Sequence, residues 1–326
     1  MWHGRRVLVT GAGGFIGSHL TERLVELGAM TRALVHYRGS GAHGWLDGSP
    51  LKADIEVIAG DVRDRECVLT AMADCEVVFH LAALIAIPYS YQAPASYVET
   101  NVVGTMNVLL AARQLGVRRI VHTSTSETYG TARRVPIDES HPLQAQSPYA
   151  ATKIGADKLV ESFVLSFQTP AVTVRPFNTY GPRQSARAIV PTIITQCLTE
   201  ERVRLGSLHP TRDLTFVLDT VEGFIAAAAS DRAVGRTVNL GTGREVSIGE
   251  LARLIAELVE KPVEIEQEAQ RVRPEHSEVE RLLADATLAH ELTGWAPRVS
   301  LEDGLRLTIE WMREHREHYR PTVYAV

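Results

Sequence analysis

Arg6-Val7-Leu8-Val9-Thr10-Gly11-Ala12-Gly13-Gly14-Phe15-Ile16-Gly17-Ser18 reads as a short apolar strand, a turn with glycine at every third step (Gly11, Gly14, Gly17), and the start of a helix. Glycines in such a turn permit its tight bend, let a pyrophosphate approach the backbone and allow the helix to pack closely on the strand. The helix N-terminus offers N–H groups to the anion. Placed directly after the first strand, Gly11, Gly14, Phe15, Ile16 and Gly17 are the expected dinucleotide-binding turn.

Outward from this turn, apolar runs recur at 31–35, 55–58, 77–81, 119–122 and 171–174, with helical patterns such as 18–27, 65–72 and 97–115 between them. Strands separated by helix-length crossovers predict an α/β fold built on a doubly wound, parallel Rossmann sheet. After Arg175 the texture changes, because Pro176, Gly181, Pro182, Pro191, Gly206 and Pro210 break the alternation. A helix is expected over 216–230, a strand rejoining the sheet over 237–240, and a polar helical tail from Ile248 onward. The expected division is a dinucleotide-binding domain of residues 1–178 plus 214–243. A smaller, discontinuous α/β substrate domain takes 179–213 plus 244–326.

The 326 residues are 45% hydrophobic and 22% charged, with a net charge of −5 and no Lys/Arg run, which argues against nucleic acid or an anionic membrane as the main partner. Cys67, Cys75 and Cys197 show no CxxC spacing, so reduced thiols are expected and no metal site. No stretch reaches the roughly 18 apolar residues of a membrane span, and a cytoplasmic location is the expectation.

At the end of the second strand, Val35-His36-Tyr37-Arg38 lacks the acid that would hydrogen-bond the ribose 2′-hydroxyl of NAD. His36 and Arg38 suit a 2′-phosphate instead, so NADP is favoured over NAD. Asp61 and Val62, after the third strand, are expected at the adenine end. Further on, Thr125-Ser126-Glu127-Thr128-Tyr129-Gly130 precedes Tyr149-Ala150-Ala151-Thr152-Lys153, bringing a hydroxyl, a carboxylate, a phenol and an ammonium together. That is equipment for redox acid/base work, and a Glu beside the hydroxyl suits an enzyme that removes a proton from carbon.

The ordered set of Thr10 to Gly17, Asp61, His80-Leu81-Ala82-Ala83, Asn101, Thr123 to Gly130, Tyr149 to Lys153 and Arg175-Pro176-Phe177-Asn178 resembles the extended short-chain dehydrogenase/reductase superfamily over essentially the whole chain. The resemblance implies that Tyr149 accepts the proton of a substrate hydroxyl, that Lys153 lowers its pKa and holds the nicotinamide ribose, and that Thr125 bonds the reacting oxygen. It places Leu81, Ala82, Ala83, Asn101, Pro176 and Asn178 along the cofactor, with Asn101 equally readable as scaffolding or as a polar helix residue. Thr125-Ser126-Glu127 followed by Tyr129-Gly130 is similar to the GDP-mannose 4,6-dehydratase type. In that type Glu127 would take the C5 proton after oxidation at C4, water would leave from C6, and a tightly held cofactor would be regenerated each turnover. Ser126 stands where the dTDP-glucose branch has an Asp, so Glu127 would serve as both base and acid.

Tyr89, Tyr91, Asn178, Arg183, Val190, Arg212, Arg273 and Glu278 are the expected nucleotide-sugar contacts, with Arg212 and Arg273 as diphosphate clamps. The stretches Gly44-Trp45-Leu46-Asp47, Leu84 to Tyr91 and Arg183 to Arg187 look like the N-acetylglucosamine nucleotide 4,6-dehydratases of legionaminic-acid pathways. The implied activity is a retaining 4,6-dehydratase of UDP- or GDP-N-acetylglucosamine or a related hexose. A 4-epimerase, which would leave Glu127 idle, and a cofactor-sensing binding protein are the alternatives. The resemblance further implies a homodimer through a four-helix bundle, for which Val102, Val108, Leu109, Ile154, Leu159 and Phe163 supply apolar faces.

Overall fold

Val7, Leu8 and Val9 are all fully buried, as a parallel strand covered by helices on both faces requires. The computed structural model describes residues 1–268 and 279–319. Its first half runs β1 (Arg6–Thr10), α1 (Phe15–Glu26), β2 (Met30–His36), β3 (Ile55–Gly60), α2 (Arg65–Met72), β4 (Val77–His80), α3 (Ile87–Gln92), α4 (Pro94–Tyr97), α5 (Gly104–Leu115), β5 (Arg119–Thr123), α6 (Pro148–Phe167) and β6 (Ala171–Pro176). There follow β7 (Asn178–Tyr180), α7 (Ile189–Thr199), β8 (Arg202–Leu205), β9 (Thr211–Phe216), α8 (Val217–Ala229), β10 (Thr237–Leu240), β11 (Glu245–Ser247), α9 (Ile248–Val259), β12 (Glu264–Gln267), β13 (Arg281–Leu282), α10 (Thr287–Thr293) and α11 (Leu301–Glu314).

Seven parallel strands form the main sheet in the order β10-β6-β5-β4-β1-β2-β3. Successive side chains alternate between its faces: Val7 and Val9 join a core with Leu20 and Leu24 of α1 and Phe224 of α8. Leu8 joins the opposite core with Met72, Val108, Leu109 and Val160. Each such side chain contributes about 1.5–3 kcal/mol by leaving water. Winding reverses between β1 and β4, and the crevice outside the carboxyl ends of those two strands is where a doubly wound sheet takes its ligand.

The expected 97–115 helix is interrupted. Val98–Val103 form a π-helical segment between α4 and α5, a local widening often found at functional positions. The expected polar helical tail after Ile248 also differs. Among the described residues the α-helices there are α9, α10 and α11, and β12 and β13 pair in parallel with β8 and β9. Periodicity misses such strands because they are four and two residues long and are fixed by their partners.

A second lobe gathers α7, α9 and α11 around Ile193, Leu205, Leu251, Ile255, Leu305 and Met312. The lobes divide less simply than the chain order suggests. Strand β9 runs across residue 213, and α10 returns to the first lobe, where Ala289 and Trp295 share a core with Val174 and Val238. The Trp295 indole N–H donates to the Asp219 carbonyl at 2.9 Å, fixing that return.

Candidate active site

The glycine-rich turn lies at the crevice. Gly11 has a left-handed φ of 72°, and a side chain there would meet the Ala82 backbone nitrogen at 2.8 Å. The close approach is held by Thr10, whose carbonyl accepts from Leu81 N–H (3.2 Å) and whose hydroxyl accepts from Ala82 N–H (3.1 Å). Gly14 is the N-cap of α1 and brings no side chain to the cap, so the first N–H groups at Phe15, Ile16 and Gly17 are left for an anion. At the far side, the Asn178 side-chain oxygen is buried with no hydrogen-bond partner, as is the Thr123 hydroxyl. A turn without side chains and orphaned polar atoms facing a switch-point crevice fit a bound dinucleotide. Pro176 ends β6 just before Asn178, and Leu81, Ala82 and Ala83 are half-buried beyond β4.

His36 ends β2 and is largely exposed, 3.7 Å from the Asp61 carboxylate; Arg38 is exposed beyond it. Asp61 is gripped by Arg63 through bonds of 2.6–3.1 Å, and this pairing holds its carboxyl below the usual range. The Val62 side chain is core, packed with Val108, so only its backbone faces outward.

The chemical end is built from a strand exit and a helix start. Ser147 caps α6 by accepting from Ala150 N–H at 3.1 Å, with Pro148 at the first position. That places Tyr149 and Lys153 one turn apart, both buried. The Tyr149 phenol lies close enough to the Thr125 side chain to feel its hydrogen-bonding influence. Burial pushes its phenol well above the ordinary value, and Thr125 works against that. The Lys153 ammonium donates to the Thr123 carbonyl at 2.6 Å. Burial lowers it to about 8, with the Asp157 carboxylate opposing.

Thr125 also accepts from Glu127 N–H at 3.3 Å as the cap of the single turn Ser126–Tyr129. Ser126 is buried. Glu127 is half-buried, and its carboxylate makes no ion pair or hydrogen bond among the described residues; it bears on Tyr149 through its charge.

Beneath this pair lies a charged cluster that sequence reasoning missed. Asp157 receives His122 (3.1 Å), Ser124 (2.6 Å) and Arg175 (2.8 Å), and Arg175 reaches the Tyr129 hydroxyl at 3.0 Å. Its signal in the sequence was position alone, one helical turn after Lys153. His80 is buried between Thr10 and Thr105, and burial drives its pKa well down, so it is neutral. Asn101, in the π segment, bonds both backbone groups of Leu84 and the Thr152 hydroxyl at 2.9–3.0 Å, so it is scaffolding for the loop after β4.

Tyr89 and Tyr91, the expected sugar contacts, are 41% and 42% exposed on α3. Tyr97, also missed, is fully buried between them and the phenol: its ring lies 6.2 Å from Tyr89 and 6.3 Å from Tyr149. Two expected contacts have side chains engaged elsewhere. Arg183, at a positive φ of 69°, is paired with Glu22 of α1 by bonds of 2.9 and 3.1 Å. Val190 is fully buried in the second lobe's core, leaving only its backbone available. Arg212 is buried and donates to the Thr211 carbonyl at 2.9 Å. Arg273 and Glu278 lie outside the described residues. Among the described residues no helix is long and apolar enough to cross a membrane, and no group of three His, Cys, Asp or Glu side chains is placed to hold a metal.

Residues 8–308 match the family model described as GDP-mannose 4,6 dehydratase. The chain is 36% identical to the UDP-glucose 4-epimerase of Mycolicibacterium smegmatis, across 94% of this chain and 98% of that protein. It is 30% identical to the human dTDP-D-glucose 4,6-dehydratase, across 97% and 92%. Among solved structures it superposes on DesIV, a dTDP-glucose 4,6-dehydratase of Streptomyces venezuelae solved with NAD bound, with a TM-score of 0.87 at 28% identity, covering 97% of this chain and 99% of that one.

Proposed function

Because the chain belongs to the GDP-mannose 4,6-dehydratase family, within the extended dehydrogenase/reductase enzymes that act as nucleotide-sugar dehydratases and 4-epimerases, we propose that it is a retaining nucleotide-sugar 4,6-dehydratase acting on UDP- or GDP-N-acetylglucosamine or a related hexose. One observation carries this reading: Glu127 stands beside Tyr149 with a carboxylate that no neighbouring cation or donor occupies among the described residues. A structural carboxylate at a half-buried position would normally be paired.

The nicotinamide, when bound, supplies a reversible hydride acceptor for C4 and donor for C6. Tyr149 takes the C4 hydroxyl proton, assisted by the Thr125 hydroxyl and by a charged Lys153. The resulting ketone acidifies C5, and Glu127 removes that proton. The same carboxyl, now protonated, gives it to the departing C6 hydroxyl, since Ser126 offers no acid. Water leaves to give a 4-keto-5,6-ene; with hydride returned at C6 and a solvent-derived proton taken up at C5, the product would be the 4-keto-6-deoxy sugar. His36 and Arg38 at the open end of β2 support NADP over NAD. Partly exposed Val102, Ile154 and Leu159 support a homodimer through the Asn101 and Tyr149 helices, whereas Val108, Leu109 and Phe163 are spent in the chain's own core.

The second reading is a 4-epimerase, favoured by the 36% identity to the mycobacterial enzyme of that name. Incubation with UDP-, GDP-, dTDP- and CDP-sugars in deuterated water, followed by mass spectrometry and proton NMR, separates them. Loss of water with deuterium at C5 is expected. An unchanged composition with inverted C4 gives the case to the epimerase.

A further inference from the structure

Trp45 belongs neither to the glycine-rich turn nor to the catalytic loop, yet it is fixed from two sides. Its backbone N–H donates to the Gly13 carbonyl at 3.1 Å. Gly44 before it has a φ of 70° and lies against that same carbonyl with no room for a side chain. Leu46 after it is fully buried in the first lobe's core, and Asp47 accepts from His43 N–H (2.7 Å) and Lys52 (2.9 Å). The backbone of this short turn therefore belongs to the first lobe.

Its ring belongs to the second. The Trp45 ring centroid is 5.3 Å from Trp311 of α11, edge-on, and 4.8 Å from His318. Trp311 in turn stacks on His315 at 4.2 Å and meets Tyr319 at 6.1 Å. Tyr319 donates to the Gln184 carbonyl at 2.9 Å, and the adjacent Arg183 returns to Glu22 of α1. These contacts close a circuit between the lobes around the N-terminus of α1, the place where a dinucleotide pyrophosphate would sit.

We infer that Trp45 is a positioning residue for the dinucleotide: gripped by Trp311 and His318 of the second lobe, it keeps the segment after β2 folded on the glycine-rich turn, so that the nucleotide leaves only when this aromatic contact opens. The inference rests on the reading of that turn as a dinucleotide site. It supplies a physical basis for a cofactor that stays bound through turnover, because release is tied to parting of the lobes rather than to the turn alone.

The test uses the full chain loaded with NADH or NADPH, chased with excess oxidised nucleotide, and follows dissociation by nicotinamide fluorescence alongside the thermal midpoint of the nucleotide-free protein. Trp45→Ala and Trp311→Ala are each expected to speed release about tenfold, as loss of a well-packed aromatic contact acts mainly on the off-rate. The double variant is expected to match the singles, since both remove one shared contact, and Trp45→Phe to recover most of the retention. Release at the wild-type rate in Trp45→Ala, or multiplied effects in the double variant, overturns the inference. Should Trp45→Ala not fold, Trp311→Ala breaks the same contact from the other lobe, and release at the wild-type rate there overturns the inference equally. No sugar enters this measurement, so a chain that proves an epimerase still shows the effect; one that binds neither nucleotide overturns the dinucleotide reading and this inference together.

Discussion

At the residue scale, the proposed dehydration turns on one carboxylate. Glu127→Gln keeps the size and removes the base, so oxidation at C4 proceeds and elimination stops. Dehydration is expected to fall about 10²–10⁴-fold, while a single-turnover rise in reduced nicotinamide absorbance persists and no deuterium enters at C5. Full activity in this variant would make the residue structural and favour epimerisation. The grouping of Thr125, Tyr149 and Lys153 was legible in the sequence because it depends on residue type and on spacing along one strand exit and one helix. The surroundings of Glu127 were not. Whether a carboxylate has a partner depends on side chains distant in sequence, and here none arrives among the described residues.

At the element scale, α6 carries Tyr149, Lys153 and Asp157 at steps of one turn, so a single helix face holds the phenol, the ammonium and the buried carboxylate. Asp157 is held well below the carboxylate range, against the pull of burial, by His122, Arg175 and Ser124. Asp157→Ala leaves Arg175 buried and unpaired, and a loss of about 3–5 kcal/mol in urea unfolding is expected. The histidines set a pH dependence. Burial lowers His80 and His122, and lowers His19 to about 4. Each folded pKa lies below the unfolded value of about 6.5, so the unfolded chain binds protons first as the pH falls. Their stabilising effect is complete above about pH 6.5 and declines as the pH drops from there toward about 4. A urea midpoint at pH 5 as high as at pH 7.5 would contradict this.

At the scale of the whole molecule, the exposed apolar side chains Val98, Leu115, Leu165 and Phe167 lie on α6 and on the run from α4 to α5. With the partly exposed Val102, Ile154 and Leu159 on the same helices, they motivate the dimer proposal, and light scattering at micromolar concentration is expected to return twice the chain mass. A monomer at that concentration would remove the dimer. The doubly wound sheet, the glycine-rich turn and the order of the catalytic groups could all be read from the chain before it folds. They follow from periodicity, turn chemistry and spacing, which act between near neighbours. Where the long-range partners fall emerged only from the folded chain. Arg183 goes to Glu22, Val190 goes into a core, α10 returns to the first lobe, and Trp45 is clasped by the second. Each of these contacts joins segments far apart in the chain, and the energy that selects such partners comes from burial and close packing available only once the lobes have met.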